Sequence, residues 1–77
     1  FKSRLQELAA RQFDDAPKYE TVAEGPDHAR QFHVTVSVAG IARGHGDGRS
    51  KKQAEQVAAR DAYTTLAAEV RNDEAHA

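Results

Sequence analysis

Three cations and a hydroxyl stand together in Arg49, Ser50, Lys51 and Lys52, at what reads as the start of a long helix. Lysines at this end oppose the helix dipole, which costs about a few tenths of a kcal/mol at an exposed site. Local stability therefore does not explain them. A phosphate would, because two ammonium groups and the free N–H groups of the helix start would meet it together. We interpret these four residues as a candidate phosphate-binding group.

The distribution of charge along the chain favours the same interpretation, although the formal net charge is only −1. Residues 43–60 carry five Lys or Arg against two acids, whereas residues 61–77 carry one base against four acids. A local basic segment matters more for phosphate binding than the total charge does. Ser50 and Gln53 have the spacing of a capping box, which predicts that the helix begins there and holds both lysines in its first turn.

Length and composition predict one small soluble domain. The chain has 77 residues, of which 39% are hydrophobic and 30% charged. No apolar run approaches the roughly 20 residues that a bilayer span needs, so we expect no membrane partner. The absence of cysteine excludes disulfides and thiolate metal sites, and it fits a cytoplasmic location. Because the chain begins with Phe1 rather than methionine, we expect it to be a piece of a longer protein.

The elements that must position these residues follow from hydrophobic periodicity. The predicted order is helix, three strands, helix, over Lys2 to about Gln12, Lys18 to Glu24, a strand through Phe32 to Val38, Ile41 to Asp47, and Ser50 to about Val70. The fold class is therefore α+β (α-β-β-β-α), with a three-stranded antiparallel sheet carrying both helices on one face. The predicted core stripe of the last helix comprises Ala54, Val57, Ala58, Ala62, Leu66 and Val70. We predict a domain at residues 1–71 and a flexible tail at residues 72–77.

Other motifs do not carry chemistry. The glycine-rich run from Gly44 to Gly48 lacks the spacing of a dinucleotide loop or a P-loop, and we assign it to backbone freedom where strand meets helix. No two glycines have the Gly-x-x-Gly spacing of a KH module, and the strands lack the exposed aromatics of an RRM. The four histidines have no ligand spacing, so no metal is predicted here. Nor are carboxylates clustered for catalysis.

The run GRSKKQAEQVAARDAYTTL resembles the C-terminal helix of double-stranded RNA-binding domains, in particular those of bacterial ribonuclease III. The resemblance continues through SRLQELAARQ, PKYETVAEGPDHARQF and FHVTVSVAG, and so covers nearly the whole chain in order. It implies that the last helix meets phosphates across a major groove through Ser50, Lys51 and Lys52, with Arg49 nearby. It further implies two sets of minor-groove contacts, by Ser3, Gln6 and Glu7 of the first helix and by Gly25, Pro26, Asp27 and His28 of a loop.

The same resemblance implies binding of duplex RNA by shape, as the substrate-anchoring domain of a ribonuclease III that processes structured RNA such as ribosomal precursors. The fragment itself is not expected to be an enzyme and needs no cofactor. A catalytic domain, dependent on Mg²⁺ and homodimeric, is expected upstream. Many domains of this family have a third lysine where this chain has Glu55, which predicts a weaker electrostatic grip. The alternative is a protein-interaction module of the same fold that has lost RNA binding.

Overall fold

The first helix, α1, spans Lys2–Phe13 and contributes two residues to the hydrophobic core. The computed structural model describes the backbone of residues 1–76 and the side chains of residues 1–71. Leu5 and Ala9 are fully buried, whereas Phe1, four residues before Leu5, is about half exposed. Asp14 ends the helix in the left-handed conformation, and its N–H donates to the Ala10 carbonyl at 3.1 Å. The helix thus ends one residue after the end predicted near Gln12.

Three antiparallel strands form a sheet in the order β1 (Lys18–Glu24), β2 (Gln31–Val38) and β3 (Ile41–Gly48). The strand predicted through Phe32 to Val38 is confirmed, and its alternating residues Val34, Val36 and Val38 are buried. A two-residue turn joins β2 to β3. Ala39 and Gly40 both have positive φ there, at 54° and 78°, as the twist of a tight hairpin requires. The strand boundaries expected from the sequence are thus within one residue of those observed.

The second helix, α2 (Lys51–His76), packs across β2 and β3, and α1 packs against α2. The predicted fold is confirmed. The backbone of α2 continues helical for six residues beyond the predicted end near Val70. The predicted division into a domain at residues 1–71 and a flexible tail stays a prediction, and Ala77 lies outside the described residues.

The core stripe of α2 differs from the prediction at Val57 and Ala59. Ala54, Ala58, Ala62 and Leu66 are fully buried as predicted, but Val57 is 46% exposed. Residues four apart turn by about 40° around a helix, so the stripe drifts away from Val57 as the helix advances. Val70 is half-buried, and Ala59 is buried although it was not predicted to be. An alanine surface, rather than one of valines, therefore faces the sheet.

Glycines on β3 make room for that alanine surface. A Cβ on Gly44 would lie 2.4 Å from the Ala62 nitrogen, and one on Gly46 would lie 2.3 Å from the Ala58 nitrogen. Two residues advance a strand by about 6.6 Å, and four residues advance a helix by about 6 Å. Every second residue of β3 therefore lies opposite every fourth residue of α2. Gly44 and Gly46 are not in the left-handed region. The prediction that they supply backbone freedom is therefore wrong, because they supply space.

Arg43 is the extra residue of a β-bulge, since Val36 pairs with Gly44 while Ser37 pairs with Ala42. Its guanidinium is buried over the Phe13 ring, 4.9 Å from the ring centre, and forms an ion pair with Glu69. Arg43 therefore links β3 to both helices. It does not contribute to a basic surface, although it was counted in the basic segment at residues 43–60.

Candidate nucleic-acid interface

The start of α2 is built by local hydrogen bonds. The Gln53 N–H donates to Ser50 Oγ at 3.0 Å, as the capping box predicts. Gln53 Oε1 accepts from the Arg49 N–H at 3.0 Å, one residue earlier than the usual arrangement. In the described residues the backbone N–H groups of Lys51 and Lys52 have no hydrogen-bond acceptor. They are left available to an anion at the positive end of the helix dipole.

The side chains of Arg49, Lys51 and Lys52 are exposed, and none forms an ion pair within the described part of the chain. Glu55, four residues after Lys51, pairs instead with Lys2 of α1. The acid that was expected to weaken the electrostatic grip is therefore already neutralised by another cation. The predicted phosphate-binding group is brought together at one helix end, and its cations are free to meet a ligand.

Ser3, Gln6 and Glu7 lie on the exposed side of α1, while Leu5 and Ala9 are buried. The Lys2–Glu55 pair attaches this helix to α2. Beside that pair, Lys2 and Ser3 border an open groove of about 410 Å³ together with Gln56 of α2. Gln56 lies one helical turn after Lys52. The structure thus places the start of the predicted minor-groove surface of α1 next to the end of α2 that is predicted to bind phosphates.

The predicted loop contact is an ordered turn between β1 and β2. Gly25 has φ 91°, and a Cβ there would lie 2.8 Å from the Ala29 carbonyl oxygen, so the position favours glycine. Pro26 precedes a single 3₁₀ turn, Asp27–Ala29, which holds His28 with its side chain exposed. Arg30 Nη2 donates to Asp27 Oδ1 at 2.9 Å and closes the turn. The loop therefore presents His28 from a defined backbone.

A second open groove, of about 510 Å³, extends from this loop to Arg49, two residues before α2 begins. Its lining residues are Asp27, His28, Ala29, Arg30, Gln31, Phe32 and Arg49. Arg30 is a cation beside this groove that was not predicted from the sequence. Its position three residues after Asp27 could have indicated the ion pair between them. Because Arg49 borders this groove and Gln56 borders the first, the beginning of α2 connects the two minor-groove surfaces that were predicted separately.

Among the described residues, two titratable side chains have shifted pKa values, and neither belongs to a predicted contact residue. Partial burial raises the pKa of the Tyr19 phenol, against the opposing effect of the Lys2 ammonium. On the sheet face opposite the helices, His33 lies between two carboxylates, with Nδ1 2.6 Å from Asp47 and Nε2 3.3 Å from Glu24. The hydrogen bond to Asp47 is the main cause that raises the pKa of His33.

The described residues contain no group of three or more His, Asp or Glu side chains that could hold a metal ion. Within the same residues, no helix is long and apolar enough to cross a membrane. What the surface offers chemically is cations, helix N–H groups and polar side chains on an exposed face. Such groups bind phosphates and hydroxyls.

Comparison with known proteins agrees with this chemistry. The family model of the double-stranded RNA binding motif matches residues 1–66. Ribonuclease 3 of Geobacter metallireducens is 50% identical over 70 residues, which cover 90% of this chain and 28% of that protein. Ribonuclease 3 of Leifsonia xyli subsp. xyli is 48% identical over 65 residues, covering 84% of this chain and 27% of that protein.

Among solved structures, the first double-stranded RNA-binding domain of protein HYL1 has a TM-score of 0.75 and 42% identity. The match covers 90% of this chain and 99% of that one. This chain therefore corresponds to a whole domain of HYL1, but it spans less than a third of the length of its curated relatives.

Proposed function

The chain belongs to the double-stranded RNA binding motif family, and from that premise we propose that it binds double-stranded RNA by shape, largely without reading sequence. The observation that carries the proposal is the group of cations at the start of α2 that have no ion-pair partner in the described part of the chain, where the backbone N–H groups of Lys51 and Lys52 likewise have no acceptor. A protein-interaction module would not need such a group. That alternative becomes the conclusion if the cations prove irrelevant to RNA.

The proposed mechanism divides the surface by the chemistry of A-form RNA. Its major groove is deep and narrow, and its minor groove is shallow and lined with 2′-hydroxyls, so recognition over about 16 base pairs depends on shape. Lys51 and Lys52 would bind phosphates, since a flexible ammonium tolerates variable geometry. Ser3, Gln6 and Glu7 would meet 2′-hydroxyls in one minor groove. The loop with His28 would meet those of the next, with Arg49 and Ser50 contacting the backbone between.

We further propose that this domain is part of a ribonuclease III and anchors its substrate. The parent enzyme would act on structured RNA such as ribosomal precursors in the cytoplasm. The names of the curated relatives support this parentage. In such a parent the catalytic domain would be a homodimer. Mg²⁺ bound there would stabilise charge at the scissile phosphate. The residues of this chain would hold the duplex against that domain.

The decisive experiment replaces both lysines, Lys51→Ala and Lys52→Ala, and measures duplex RNA binding across a range of salt concentrations. Each phosphate contact contributes about one unit to the slope of log K against log salt, so the slope should fall by about two. A matched control is the Arg11→Ala, Lys18→Ala double variant, which removes two exposed charges outside the proposed surface. Binding by the lysine variant that equals the control would refute the phosphate role.

A second measurement compares duplex RNA with duplex DNA of the same sequence. DNA lacks the 2′-hydroxyls and is not A-form in solution, so most of the affinity should be lost. Equal affinity for the two duplexes would contradict the contacts proposed for Ser3, Gln6 and Glu7. It would leave a general polyanion-binding surface instead.

A further inference from the structure

Glu55 is the only acidic residue between Arg49 and Arg60, and its placement is unusual for a residue beside a phosphate-binding group. Its side chain is 16% exposed, and its carboxylate accepts a hydrogen bond from the Lys2 ammonium. That ammonium also lies 5.3 Å from the centre of the Tyr19 ring. Glu55, Lys2 and Tyr19, here called the Glu55 cluster, thus join the start of α2 to the start of α1 and to β1.

The Glu55 cluster lies between two of the proposed RNA-contact groups. On α2, Glu55 follows Lys51 by one helical turn. On α1, Lys2 is adjacent to Ser3, and both border the groove that Gln56 lines from the other side. A change in the Lys2–Glu55 pair would therefore alter the separation between the hydroxyl-contacting side of α1 and the phosphate-contacting end of α2.

We infer that Glu55 is a positioning residue: by holding Lys2, it sets α1 and α2 at the separation that a minor groove and the adjoining phosphates of an A-form duplex require. The inference rests on the proposed RNA binding. Recognition by shape depends on this separation, because the groove spacing of the duplex is a property of the ligand. A loosely held pair of helices would bind more weakly, since ordering them on the RNA would oppose binding.

The inference can be tested because positioning and simple electrostatics predict opposite signs. A carboxylate close to phosphates lowers affinity, so removing its charge should tighten binding if Glu55 acts only through its charge. If Glu55 positions α1, removing the charge should weaken binding although the net charge becomes more positive. Glu55→Gln makes this change at nearly constant size. Glu20→Gln makes the same charge change at an exposed position on β1 and serves as the control.

We expect Glu55→Gln to bind duplex RNA about three- to tenfold more weakly than wild type, a loss intermediate between that of an exposed ion pair and that of a buried hydrogen bond to a charged group. Glu20→Gln should bind as tightly as wild type or slightly more tightly. Both proteins are compared at a temperature where NMR spectra show them fully folded. Glu55→Gln binding as tightly as Glu20→Gln, or more tightly, would overturn the inference.

A coupling measurement separates positioning from loss of stability. If Glu55 positions α1, Gln6→Ala should weaken binding by a smaller factor in the Glu55→Gln protein than in wild type, because α1 already engages the RNA poorly. Equal factors would overturn the inference. Should Glu55→Gln be partly unfolded, the exchange Lys2→Glu with Glu55→Lys restores an opposite-charge pair at wild-type net charge. The exchanged protein also gains a cation where many related domains have a third lysine, so it should bind at least as tightly as wild type, and binding about tenfold weaker would refute the role.

The experiments distinguish a failure of the proposed RNA binding from a failure of the positioning role. Wild-type protein that does not bind duplex RNA would contradict RNA binding itself, whatever Glu55 does. Wild-type protein that binds, with Glu55→Gln equal to the control, would contradict only the positioning role.

Discussion

Replacing Gly46 by alanine tests the contact that places α2 on the sheet. The new Cβ would lie 2.3 Å from the Ala58 nitrogen and 2.4 Å from the Ala54 carbonyl oxygen. Ordinary contact begins at 3.4 Å, so α2 and β3 would have to separate by about 1 Å. The clashing atoms belong to backbone and cannot rotate away. The loss should therefore reach the upper end of overpacking penalties, about 3 kcal/mol.

For a domain of this size that loss corresponds to a fall in Tm of about 12–24 °C. A domain of 77 residues typically has a stability of about 4–12 kcal/mol, so the variant should still fold at low temperature. Thermal unfolding followed by circular dichroism measures the shift. Duplex RNA binding, measured below the transition, then reports whether moving α2 also displaces Lys51 and Lys52 from the RNA.

Gly48→Ala provides the matched control. Its Cβ would lie 2.9 Å from the Ala54 nitrogen and 3.1 Å from Cβ and Cγ of Gln53, so the overlap is smaller than at Gly46. Part of this milder clash is offset, because alanine restricts the unfolded chain by about 0.4–1 kcal/mol. We expect Tm to fall by less than about 8 °C. If Gly46→Ala melts within a few degrees of wild type, or no lower than Gly48→Ala, the close-approach explanation is wrong.

Two further predictions concern the sheet face and the core. The hydrogen bond to Asp47 raises the folded-state pKa of His33 above 6.5, so its contribution to stability should be complete below about pH 6.5 and lost as pH rises through the raised value. The Tm of wild type should therefore exceed that of His33→Gln by less at pH 8 than at about pH 6. A Tm difference that stays constant over this pH range would exclude the His33–Asp47 hydrogen bond as the source of the stability. Leu66→Ala, at a fully buried position, should cost about 2–5 kcal/mol in denaturant unfolding. Val57→Ala, at an exposed one, should change stability by less than about 0.5 kcal/mol, and equal costs would contradict the observed stripe.

The elements of this fold, and the beginning of its proposed site, could be predicted from the sequence because they depend on near neighbours. The alternation of β2, the end of α1 at Asp14 and the Ser50–Gln53 cap involve residues within a few positions of one another. Their side-chain and backbone preferences act in any context. For the same reason, the cluster of cations at residues 49–52 could be recognised before any tertiary contact was known.

Other features arise only when distant segments meet. Gly44 and Gly46 are needed because Ala58 and Ala62 approach them, and the sequence separation hides that reason. Val57 is exposed although its residue type suits a core, since helix geometry turns it away from the sheet.

The pairing of charged residues likewise could not be predicted from the sequence. The sequence by itself determined which residues are charged, and so where a phosphate-binding group could stand. Only the tertiary structure decided which charges remain free, pairing Arg43 with Glu69 and Glu55 with Lys2 while Lys51 stays exposed. The physical reason is that an ion pair depends on distance in space, and folding sets that distance between residues far apart in the chain.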